Sequence, residues 1–146
     1  MLATTAVTAA VCAAAVAAAT PAEKRYVATL RTNYLPLRSA FLAASLPCQK
    51  HVLATCRSRI AATRSAATRL DRALARTQPP ARVVRANKQL RRGARALAAW
   101  AARFVQKINA GKWEAAGCTC TAPSADVTNA IGEINSLLGV DLPILA

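Results

Sequence analysis

Two stretches of this chain repeat apolar or small residues at alternating steps of three and four, and few folds satisfy both. Leu53, Cys56, Ile60, Thr63, Ala67, Leu70 and Leu74 keep this rhythm, as do Val83, Asn87, Leu90, Ala94, Leu97, Ala101, Phe104 and Ile108. Positions so spaced fall on one side of an α-helix, as the a and d positions of heptads do. The pattern predicts helices over residues 49–76 and 81–110, each needing helical neighbours to cover its stripe. Cys56 therefore faces inward.

Two further segments supply those neighbours. Over residues 23–46, Tyr26, Leu30, Tyr34, Leu37 and Phe41 recur at helical steps. Pro36 deletes one backbone hydrogen bond and is expected to kink this helix near Thr32 and Asn33, and Pro47 to stop it. Thr77-Gln78-Pro79-Pro80 forms the next turn, and Gly111 ends the third helix. A shorter fourth helix is expected from Ser124 as N-cap, with Asp126 in its first turn. It would bury Val127, Ile131, Ile134 and Leu138 before Gly139 stops it. Four helices with short connections predict an all-α, up-and-down four-helix bundle over residues 21–146. Composition agrees: hydrophobic residues make up 54% of the chain, but they are dominated by alanine, with two each of Trp, Tyr and Phe. Alanine is the best helix former, and runs of β-branched or aromatic residues at period two are missing.

Residues 1–20, MLATTAVTAAVCAAAVAAAT, carry no charge and no helix-face periodicity, and mixed sequence begins at Pro21. They read as a signal-like leader without a basic n-region, with Ala17-Ala18-Ala19 offering a small-residue cleavage pattern. A retained anchor and a disordered leader are the alternatives; alanine contributes little to membrane insertion. Lipidation at Cys12 is disfavoured by the bulk of Val11.

Removing the leader takes Cys12 with it and leaves Cys48, Cys56, Cys118 and Cys120, an even set suited to disulfides in an exported domain. Cys48 sits in the loop after the first helix and Cys56 two turns further along the second, roughly 12 Å away and too far for a direct bond if both are helical. In an antiparallel bundle the loops after the first and third helices share one end. Two long-range bridges are therefore expected, joining Cys48 and Cys56 to Cys118 and Cys120 in an order left open, each adding about 3 to 4 kcal/mol. One rival is a set of free or redox-active thiols, although a redox dithiol is more typically C-x-x-C at a helix start. The other is a zinc or copper site in which His51, three residues after Cys48, joins the thiols. Its C-x7-C and C-x-C spacing departs from the knuckles of structural zinc sites, and no metal or other cofactor is assigned. His51 alone reads as a partly exposed residue in a first helical turn.

Charge is the other informative feature. Of twenty basic residues sixteen lie between Lys50 and Lys112, where Asp71 is the only acid, and the net charge is +14. Arg85, Lys88, Arg92, Arg95 and Arg103 share about a quarter of the third helix's circumference, opposite its apolar stripe. They are the candidate anion-binding residues, and Arg69, Arg72 and Arg76 extend the positive potential onto the second helix. The plain reading is a solvated face enriched in arginine by GC-rich codons. The next is a surface for anionic lipid heads or cell-wall polymers, and nucleic acid comes third, because no aromatic platforms interleave with the basic residues.

Catalysis has little to stand on: one histidine and six scattered acids provide no acid–base pair, no nucleophile beside a base and no phosphate loop. Neither an enzyme nor a small-molecule substrate is inferred. Trp100, Trp113, Tyr26 and Tyr34 read as packing residues, and Asn33 and Asn87 as polar residues satisfied inside the bundle.

The order of leader, "NYLPL" helix, arginine-rich helix, "PPARVVRANKQL" and closing "LLGVDLP" resembles the uncharacterised small secreted or lipoprotein-like helical proteins of high-GC actinobacteria. The resemblance spans residues 22–143 and is compositional. It implies a helical fold and an exported or envelope location; no activity is attached to the group, so no functional residue carries over. The chain departs from the lipoprotein members in lacking a cysteine-cleavage box. The reading is thus an exported or envelope-associated, non-catalytic helical bundle with a basic surface. Its alternatives are a polyanion-binding module and a Cys/His metal-binding protein.

Overall fold

The computed structural model describes residues 18–113 and 118–145. Most of the leader, Cys12 included, lies outside the described residues. Four α-helices pack against one another: α1 (Pro21–Gln49), α2 (Leu53–Arg76), α3 (Val84–Asn109) and α4 (Ala125–Leu138), with no strand among the described residues. Short 3-10 turns at Ala81–Val83 and Thr119–Thr121 precede α3 and α4. Among the described residues, no helix is long and apolar enough to cross a membrane.

The expected stripes form the core. Tyr26, Leu30, Tyr34, Leu37 and Phe41 of α1 are buried, as are Cys56 to Leu74 of the second stripe and all of the third. Two residues depart from the expectation: Leu53 is 40% exposed, because α2 begins there rather than at residue 49, and Leu138, in the last turn of its helix, is only half-buried. Asn87, the polar member of the α3 stripe, accepts a hydrogen bond from the Tyr26 hydroxyl at 3.0 Å. That bond satisfies both groups inside the core.

Local chemistry sets the ends of α1. Thr20 and Glu23 form a capping box around Pro21 at N1, each side chain accepting from the other's backbone N–H. Backbone hydrogen bonding is the main reason the Glu23 carboxyl titrates below its ordinary range, with Arg82 contributing. At the other end Pro47 does not stop the helix, which continues to Gln49. Pro47 withholds its donor only from the carbonyl of Ala43, an exposed residue at which water can substitute.

The end of α1 also corrects the cysteine pairing. His51 N–H bonds to the Cys48 carbonyl and Val52 N–H to that of Pro47, the paired bonds of a Schellman closure. His51 takes its left-handed position, at φ 54°. The chain thus reverses between Cys48 and Cys56 instead of running on as helix, bringing their Cα atoms to 4.7 Å, and the two are bonded to each other. Cys118 and Cys120 pair likewise, with Cα atoms 5.1 Å apart. The expected bridges between the two loops are therefore replaced by two local ones. The expectation failed because it assumed unbroken helix across residues 49–52.

At the end of α3 the same closure uses Gly111, at φ 71°, with Gly111 N–H on Ile108 and Lys112 N–H on Lys107. Gly139, at φ 62°, ends α4 as expected. Ser124 occupies the position before α4, but its hydroxyl makes no capping bond. Helical periodicity gives no sign of three further contacts. A Cβ on Gly93 of α3 would meet the Val127 backbone nitrogen at 2.9 Å and its Cγ2 at 2.8 Å, so α3 and α4 cross in close backbone contact there. The segment after α4 turns back over α1: the Tyr34 hydroxyl donates to the Pro143 carbonyl at 2.6 Å and Arg38 to that of Ile144 at 2.7 Å. Leu142 and Leu145 are buried beneath it.

Candidate anion-binding surface

The basic residues divide into two surfaces of different electrostatic character. On α3, helical spacing places Arg85, Lys88, Arg92 and Arg95 along one exposed face, where they line a shallow depression with Gln89. Arg103, also exposed, lies two turns further along and does not line it. The Gly93 crossing brings α4 against this face and delivers its acids. Arg92 holds Asp126 bidentately at 2.9 and 3.1 Å, and Gln89 donates to the same carboxylate. Arg85 pairs with Glu133 at 2.9 Å. Hydrogen bonding from Arg92, then from Gln89, holds the Asp126 carboxyl below its ordinary range, and Asp126 in turn raises Arg92. Two of the five expected anion-binding residues are therefore already paired within the molecule.

The second surface lies on α2. Arg64, Arg69, Arg72 and Arg76 line a groove of ≈ 580 Å³ together with Asn33 of α1 and the small polar residues Ser65 and Thr68. Arg64, Thr68, Arg72 and Arg76 follow steps of four, which stack them along one ridge of the helix. Asp71, the only acid on α2, is turned toward α3 and held by Arg91 at 2.9 Å. No acid lines the groove, and its four arginines make no ion pair among the described residues. Arg76 also lines an adjoining depression with Arg25, Thr29 and Gln78, extending the positive track past the end of α2. Arg69, Arg72 and Arg76 were legible as an outer basic side. Arg64 and Asn33 were not, because the groove is formed by the packing of α2 on α1.

The remaining candidates lie away from both surfaces. Among the described residues no three metal-ligating side chains lie together, and the four cysteines are taken up in pairs. His51 lies in the turn rather than in a helix, with its ring 4.9 Å from that of Trp113. Trp100 packs edge-on to Phe41 and donates to the Thr121 hydroxyl at 3.3 Å, seating the Cys118–Cys120 loop on the bundle. Asn33 donates to the Thr29 carbonyl at 2.9 Å. Burial pushes the Tyr34 phenol up to about 12, as fits a hydroxyl used for packing. Comparison with known protein families, curated proteins and solved structures found no match.

Proposed function

We propose that this protein is an exported, non-catalytic helical bundle that binds anionic polymers of the cell envelope through its basic side. One observation carries the reading: the only acid between Lys50 and Lys112 is engaged by Arg91, so the arginines of the α2 groove face solvent without a counter-charge. Like charges three and four residues apart on a helix repel by tenths of a kcal/mol per pair, and a bound polyanion relieves that repulsion. Two disulfides fit an oxidising compartment and export. We also take the bundle to be up-and-down, with α1 bent at Pro36. Contacts of Glu23 with Arg82 and of Tyr26 with Asn87 support this topology by setting the starts of α1 and α3 side by side.

Heparin chromatography of the disulfide-intact protein tests the reading. Retention should fall steeply with salt, because each phosphate-like contact releases counterions. Passage through the column at low ionic strength would reject it. Sequencing the N-terminus of the mature protein isolated from cells and medium of its host should find the leader removed, and a leader retained throughout would refute the secreted form.

A further inference from the structure

We infer that the α1–α2 groove is the binding track, and that its ligand is a linear phosphodiester polymer without stacking bases, such as a polyol-phosphate chain. This inference rests on the polyanion reading and specifies its site and chemistry.

Three features select this ligand. First, the positive residues form a track rather than a cup. Arg64 and Arg76 are separated along α2 by about 18 Å at 1.5 Å per residue, and Arg76 joins the groove to the depression that holds Arg25. A single small anion would engage one or two of these groups, whereas a chain engages all of them. Second, the charged groups are all guanidinium. Its planar fork donates two parallel hydrogen bonds to a phosphate and stays charged at any pH the fold meets. Third, the neutral lining is Asn33, Ser65, Thr68 and Ala73, with no aromatic ring. Hydroxyl and amide groups suit phosphate oxygens and polyol hydroxyls, but single-stranded nucleic acid binding draws on base stacking over aromatic side chains. A membrane of anionic lipid is a less suitable fit, since the arginines line a concave groove between two helices.

The test is a titration of fluorescently labelled poly(glycerol phosphate) with the full, oxidised chain across a salt series. A single-stranded DNA homopolymer of equal charge and anionic phosphatidylglycerol vesicles serve as rival probes. The polymer should bind more tightly than either rival. The variant R64Q/R69Q/R72Q/R76Q should reduce the salt slope by about 3, at about 0.7 to 0.9 per phosphate contact. The matched α3 variant R85Q/K88Q/R92Q/R95Q should reduce it by less. All four groove arginines are exposed and glutamine is a good helix former, so circular dichroism should show an unchanged fold. The variant R64K/R69K/R72K/R76K keeps the charge, and should restore the salt slope while recovering only part of the affinity. Tighter binding of DNA or of vesicles would overturn the ligand assignment. Full affinity in the α2 variant with loss in the α3 variant would overturn the groove and leave the polyanion reading standing. Failure of the unaltered protein to bind all three probes would remove the polyanion reading itself.

Discussion

The arginines of α2 and those of α3 read alike in sequence and differ in the folded protein. Both sets are exposed and spaced for one side of a helix, yet α3 meets acids and the α2 groove does not. The difference comes from a glycine. Gly93 lets α4 approach α3 to backbone contact, and that approach carries Asp126 to Arg92 and Glu133 to Arg85. α2 packs between α1 and α3, its one acid is drawn to Arg91, and the remaining arginines stay open. A basic surface is thus defined as much by the arginines left unpaired as by the number present.

The comparison breaks most directly at Gly93. G93A places a methyl group against the Val127 backbone, which cannot yield as a flexible side chain would, so stability should fall by about 2 to 3 kcal/mol in urea unfolding. The same change should loosen α4 and free Arg85 and Arg92, strengthening heparin binding by the folded fraction. A loss below about 0.5 kcal/mol would mean that the crossing has room to spare.

Removing a disulfide separates stability from charge. C48S/C56S opens the small loop closed by the bridge and should reduce stability by about 2.5 kcal/mol in the chain-entropy model. Its heparin salt slope should not change, since neither basic surface depends on that bridge. A changed slope would show that the turn helps to position the groove.

Neutralising the acids of α4 sharpens the contrast. D126N/E133Q should lower stability by about 1 kcal/mol or less, as exposed pairs do. It should raise the salt slope by about 1 to 2 as two arginines become available, making α3 resemble α2. An unchanged slope would show that these arginines take no part in binding even when free.

Acid should reproduce part of this effect. Asp126, through the hydrogen bonds from Arg92 and Gln89, and Glu23, through its backbone hydrogen bond and Arg82, titrate below the ordinary carboxylate range in the folded state, so their contribution to stability is complete above that range. It is lost as the pH falls through the lowered folded values. Thermal melts should therefore be flat from neutral pH down to the ordinary carboxylate range and decline below it, and D126N should flatten its share of that decline. Anion binding by α3 should strengthen over the same interval, while binding by the α2 arginines, which face no carboxylate, should stay constant.

The smallest effect lies in the turn. His51 holds a left-handed conformation that disfavours a side chain by roughly 1 to 2 kcal/mol, whereas Gly111 adopts its counterpart freely. Part of that gain is offset by the greater freedom of glycine in the unfolded chain, so H51G should stabilise the protein by about 0.5 kcal/mol. Destabilisation would assign the Trp113 contact a larger role than the backbone.

Much of the fold was legible because helical periodicity is local. A stripe such as Leu90, Ala94, Leu97, Ala101, Phe104 determines which side of a helix is buried without reference to its partner. The capping box at Thr20 and Glu23 was missed, since Thr20 was assigned to the leader, although its T-x-x-E spacing is a local signal. The excess of base over acid between residues 50 and 112 was visible. Tertiary structure alone decided which cysteines meet and which arginines keep their charge unopposed. Disulfide partners depend on where a helix ends and how the next begins, and a turn at His51 in place of continuous helix exchanged long-range bridges for local ones. Counter-charges depend on the rotation and separation of packed helices, which Gly93 sets through contacts distant in the chain.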